Sequence, residues 1–127
     1  MNFSDEFQDS ETLLRGVHKN SDFWNIKENR PTSAAFKRDP KGLSVNRTGE
    51  DKKYFEESLE CLKTNLGERI QAIVEVSVDF CKSLDLYLKY CPINDNVYHS
   101  EIHKSETDPP LSQSIARELA KVCKIIA

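Results

Sequence analysis

Between residues 70 and 80 the chain alternates, with Ile73 the one exception: Ile70, Ala72, Val74, Val76, Val78 and Phe80 are apolar, and Gln71, Glu75, Ser77 and Asp79 between them are polar. Side chains of a strand point to opposite faces in turn, so this pattern, rich in Val and Ile, predicts half-buried β-structure. Leu84, Leu86, Leu88 and Tyr90 continue it around Asp85 and Lys89, which predicts either a hairpin or one strand bent near Lys82-Ser83. Before residue 70 the period changes. Tyr54, Phe55, Leu59, Leu62 and Leu66 recur at helical spacing, Thr48 suits an N-cap, Glu50 and Asp51 suit the first turn, and Gly67 suits the stop. A helix over about 50–66 follows. A second, over about 112–126, is predicted from Ser112 as cap and from Ile115, Leu119, Val122 and Ile126 on one face.

Shorter elements fill the rest. "TLLRGV" (12–17) reads as a strand ending in a polar turn at His18-Lys19-Asn20, and Ser21 or Asp22 would cap one helical turn carrying Phe23 and Trp24. Asn29-Arg30-Pro31 breaks that turn, because the residue before proline is pushed to extended geometry. Residues 33–38 and 42–46 read as two strands joined by Asp39-Pro40-Lys41-Gly42, and "VYHSEIH" (97–103) as a last one. Residues 1–10 carry no pattern and are expected to form a disordered acidic tail. The sum is a single α+β domain over 11–127. It has a mainly antiparallel sheet of five or six strands, with the two helices on one face.

Charge adds one asymmetry. The net charge is −3, which argues against general nucleic-acid binding, yet Lys27 to Lys53 holds eight basic residues against four acidic. The basic segment "RPTSAAFKRDPKGLSVNR" (30–47) therefore stands out in an acidic protein. Cys61, Cys81, Cys91 and Cys123 form no CxxC pair, which fits a reducing compartment better than a disulfide framework or a zinc knuckle. No apolar run approaches the roughly 20 residues of a membrane helix. The opening "MNFSDEFQDSE" is unlike a signal peptide. A cytoplasmic protein is the expectation.

Three places carry candidate chemistry. In "HSEIH", His99, Glu101 and His103 alternate and would share one strand face, a possible metal-ligand arrangement, although the helical HExxH pattern is missing. His99 is the preferred general acid or base, because it follows the polar loop Asn94-Asp95-Asn96. Arg15 sits inside an apolar strand beside Gly16, where its planar fork could clasp a phosphate or carboxylate. His18 would join it only if the chain turned at Gly16. Ser44, in "GLSVN", points away from Leu43 and Val45, but the GxSxG elbow of α/β-hydrolases is absent, so the sequence offers no triad. No glycine-rich phosphate loop, EF-hand or deaminase signature occurs, and no cofactor is indicated.

The order "LLRGVH", "RPTSAAFK", "LSV", "NVYHSEI", "ARELAK" resembles a group of small bacterial proteins over about residues 12–122. That resemblance singles out Arg15, Arg30, Phe36, Lys37, Ser44 and His99, and brings no activity with it. The chain departs from the group by having Tyr98-His99-Ser100 where the group tends toward a small residue after the histidine. A more distant resemblance, in residue order alone, is to ADP-ribosyl-transferring and related NAD-processing folds. The resulting expectation is a pocket for a small anionic, nucleotide-like or phosphorylated ligand. Arg15, Ser44 and His99 would be its catalytic groups, and Arg30, Lys37 and Ser33 would be its binding groups. The alternatives are a non-catalytic partner that docks segment 27–53 on an acidic protein surface, and a histidine-based metal site.

Overall fold

The computed structural model describes residues 3–37 and 39–127; Met1, Asn2 and Arg38 lie outside the described residues. The strands are β1 (Thr12–His18), β2 (Trp24–Asn25), β3 (Arg30–Pro31), β4 (Leu43–Arg47), β5 (Ile70–Ser77), β6 (Tyr87–Tyr90), β7 (His99–His103) and β8 (Lys124–Ile125). The helices are α1 (Phe55–Leu66), α2 (Val78–Ser83) and α3 (Gln113–Val122). Six strands form one antiparallel sheet in the order β6-β7-β4-β1-β5-β8, and β2 pairs with β3 alone. Among the described residues, no helix is long and apolar enough to cross a membrane.

The α+β class and the antiparallel sheet are as expected, but the helices lie on opposite faces. Leu14 and Ile73 pack against Leu59 and Leu62 of α1. Leu13, Val17, Val45, Val74 and Ile102 point the other way and join Ala116 and Leu119 of α3. Strand alternation accounts for both sets, since β1 alone supplies Leu13 to one face and Leu14 to the other.

Four local expectations are corrected. Residues 33–36 form a 3₁₀ turn rather than a strand, burying Ala35 and Phe36 beneath α3, so there is no hairpin with 42–46. The alternation over 70–90 is cut at Ser77, whose hydroxyl accepts the Phe80 amide and starts α2. Strands β5 and β6 consequently lie on opposite sides of β1 and β4 instead of pairing. Helix α1 begins at Phe55, because Asp51 and Lys52 adopt left-handed backbone angles and the Thr48 hydroxyl is bonded to Thr12 rather than capping. Helix α3 stops at Val122, where the chain turns extended and β8 pairs with β5.

Residues 3–10, expected as a loose tail, are tied down: Phe7 is buried, and the Ser4 carbonyl accepts from Arg47 Nη1 at 2.6 Å. Near Phe23 the cap is Asn20, not Ser21 or Asp22; its side chain accepts the Asp22 amide.

Candidate functional site

Strand β1 pairs with β5 along its whole length, but its ladder with β4 stops after Leu13↔Arg47 and Leu14↔Asn46. Beyond those pairs the two central strands part and leave a slit. Arg15 lies across it. Its Nε donates to the Ala35 carbonyl at 3.0 Å and its Nη1 to the Ser44 carbonyl at 2.8 Å, so a side chain replaces the missing ladder. A strand carbonyl without a partner would otherwise be an unmet acceptor. Gly16 permits the closure above, because a Cβ there would strike Leu66 of α1.

On the α1 side the slit opens into a cleft of about 310 Å³, lined by Arg15, His18, Ser44, Asn46, Leu62, Asn65, Leu66, Arg69, Asp95 and His99, among others. A second depression shares Arg15, His18 and Ser44 and adds Asp39 and Pro40. Three of the expected site residues, Arg15, Ser44 and His99, thus meet in one cleft. His18, at the end of β1, joins them. The loop Ile93–Asn96 forms the outer wall, pinned to the sheet by Asn96 Nδ2 donating to Asn46 Oδ1 at 2.8 Å. Arg69 closes the C-terminal end of α1, donating to the Asn65 carbonyl at 2.6 Å and to the Leu66 carbonyl at 3.1 Å. Its charge there offsets the negative end of the helix dipole, which would otherwise disfavour an anion.

His99 has a defined orientation. Its Nδ1 sits 2.9 Å from the Cys91 carbonyl, which only accepts, so the ring proton is on Nδ1. The lone pair on Nε2 then faces Ser44 Oγ at 3.4 Å. A hydroxyl beside an imidazole whose tautomer a third group fixes is the arrangement a nucleophile–base pair would need, here without the strand–turn–helix elbow. The orienting group is the Cys91 carbonyl, rather than a side chain of Asn94-Asp95-Asn96.

The remaining expected residues lie elsewhere. Arg30 Nη2 donates to the carbonyls of Ala120 (2.9 Å) and Cys123 (3.0 Å), so it caps α3 on the far face. Ser33 Oγ accepts from Gln113 Nε2 at 2.9 Å, and Lys37 is exposed beside that same turn, so neither joins the cleft. Arg47 is fully buried. The basic run 27–53 therefore does not present all its cations on one surface.

Beside the cleft, His99, Glu101 and His103 do share a face of β7. His103 Nε2 is 2.9 Å from Glu101 Oε1. Its ring packs over Gly42, which has φ +115° and no room for a Cβ. His103 Nδ1 is buried without a partner, which fits a bare lone pair there and the proton on Nε2. Cys91 is half-buried, and burial, together with the neighbouring Glu101 charge, pushes its thiol up to about 11, Lys89 acting in the opposite sense. It is not a nucleophilic thiolate at neutral pH. All four cysteines are free.

Comparison with protein families, curated proteins and solved structures gives no match to this chain, so its function is argued from the cleft alone.

Proposed function

We propose that the cleft between β1 and β4 binds a small anionic ligand of the phosphorylated or nucleotide-like class, with Ser44 and His99 as its reactive pair. The observation that carries this reading is the convergence of Arg15, Ser44 and His99, three residues from three strands, on one concave site. Arg15 and Arg69 supply positive charge. Asp95 and Asn65 add acceptors suited to ligand hydroxyls, which a sugar phosphate or nucleotide has and a bare inorganic anion lacks. The volume of about 310 Å³ suits a ligand of that size rather than a peptide. His99 Nε2 is set to take a proton from Ser44 Oγ or from a ligand hydroxyl held in its place, and the 3.4 Å gap would shorten with ligand bound. Docking on an acidic partner is the weaker reading, because Arg30 and Arg47 are engaged within the fold.

The test is a thermal-shift panel of mononucleotides, NAD-type compounds, phosphosugars and inorganic phosphate, run on the native chain and on Ser44→Ala, His99→Gln, Arg69→Ala and Lys37→Ala. A compound that binds the folded state raises its melting temperature saturably. The expected result is a shift that His99→Gln and Arg69→Ala abolish and Lys37→Ala leaves intact. No shift with any compound, or one indifferent to His99 and Arg69, would overturn the reading.

A further inference from the structure

We infer that Cys91, His99 and Glu101 form a binding site for a divalent transition-metal ion of the zinc class. The ligating atoms of the three side chains all lie within 4.8 Å of one another, and Cys91 Sγ is 3.5 Å from His99 Nδ1. Two donors at zinc bond lengths of about 2.0–2.3 Å, set at a tetrahedral angle, are themselves roughly 3.5 Å apart. The cysteine and histidine are thus already spaced as ligands, and Glu101 needs only a small side-chain adjustment.

The backbone holds this spacing. His99 and Glu101 are two residues apart on β7 and so share a face, and the Cys91 amide donates to the His99 carbonyl at 3.2 Å, fixing the end of β6 beside them. Sulfur, nitrogen and oxygen donors together favour zinc-like ions over magnesium or calcium, which take oxygen. Three protein ligands leave a fourth position for water or a small ligand, as in open zinc sites.

The surrounding shell is also in place. Ligating carboxylates and imidazoles are usually held by a further hydrogen bond. Here His103 Nε2 holds Glu101 Oε1 at 2.9 Å, and the far nitrogen of His99 faces Ser44 Oγ. On coordination the Cys91 thiol proton goes to bulk water and the sulfur–metal bond forms. The His99 ring proton moves from Nδ1 to Nε2, the Nδ1–H bond to the Cys91 carbonyl is broken, and the Nδ1 lone pair goes to the metal. His99 would then donate to Ser44 instead of accepting, so the loaded and unloaded proteins would differ in the cleft. The metal site itself does not depend on what the cleft binds.

Cobalt(II) titration of the full chain, followed by absorption, tests it. The expected result is a sulfur-to-cobalt charge-transfer band that saturates at a single ion per chain and is bleached by zinc. Cys91→Ser should lose that band and Cys61→Ser should keep it, while Glu101→Gln should weaken the apparent affinity at least about tenfold. Zinc should also protect Cys91 of the native chain from alkylation, read by peptide mass spectrometry, which needs no variant to fold. No saturable band, a band that survives Cys91→Ser, or alkylation of Cys91 at the same rate with and without zinc would each overturn the assignment.

Discussion

Arg47 grips Glu11 through two hydrogen bonds, Nε to Oε1 at 3.0 Å and Nη2 to Oε2 at 2.8 Å, and both side chains are out of contact with solvent. The Glu11 carboxylate also accepts the amides of Gly49 at 3.0 Å and Gln8 at 2.9 Å. The Arg47 guanidinium lies over the rings of Phe7 at 4.0 Å, Phe3 at 4.6 Å and Tyr90 at 5.0 Å. The pair joins the first strand to the fourth and clamps residues 3–10 over both.

Removing one partner would leave the other charge buried and alone. Glu11→Ala is expected to cost about 3–5 kcal/mol, and Arg47→Ala a similar amount. An apolar pair of similar volume, Arg47→Met with Glu11→Leu, should recover only part of it, because the desolvation cost of both ions disappears while the Gly49 and Gln8 amides and the Ser4 carbonyl lose their partners. Urea denaturation of the two single variants and the double variant reads this directly; a double variant no better than the singles would contradict it.

Arg30 is expected to matter for stability and not for the cleft. It holds two carbonyls at the end of α3, so Arg30→Ala should cost about 1–2 kcal/mol. Any ligand that shifts the native protein should bind the variant with unchanged affinity, measured by titration calorimetry under folding conditions. A lost affinity at full stability would return Arg30 to the site.

How far these roles are legible in the sequence depends on whether local pattern or long-range geometry sets them. Periodicity identified β5, the body of α1 and the Ser112 cap of α3, because alternation and capping act over a few residues. The same periodicity overran Ser77, since a half-buried 3₁₀ or helical turn also carries apolar residues, and the serine's capping bond is invisible until the chain turns. Arg15, Ser44 and His99 stand out in the sequence by their chemistry, and the fold brings all three to one cleft. Arg30 drew attention for the same charge, yet its partners lie about 90 residues away on α3. Arg69 and Asn65 carry no such signal, because helix-end residues look like ordinary solvated positions. Cys91 carries none either, because the side chains near it come from across the strand, outside any CxxC spacing.

Cys81 gives a pH dependence. It is buried in the core, and burial pushes its thiol from 9.0 to about 12. The unfolded chain therefore releases this proton first as pH rises. Stability from this group is fully present below about pH 9 and declines from there towards pH 12, by roughly 1.4 kcal/mol per unit at most. Urea midpoints measured between neutral and alkaline pH should fall more steeply in the native protein than in Cys81→Ala. Equal slopes would sink the assignment.

The short ladder between β1 and β4 has a mechanical meaning. The sheet divides into two three-stranded panels, β6-β7-β4 and β1-β5-β8, each continuous within itself and, among the described residues, paired edge to edge only near Leu13 and Leu14. The Arg47–Glu11 clamp sits at that joined end, like the pin of a hinge, and the cleft lies at the free end. At that end the panels are held by the Arg15 side chain and by the apolar core they share with α3, instead of by a row of backbone pairs. Residues that would meet a ligand thus sit on two panels whose backbones are not laddered together there, and Arg15 is a side-chain tie between them.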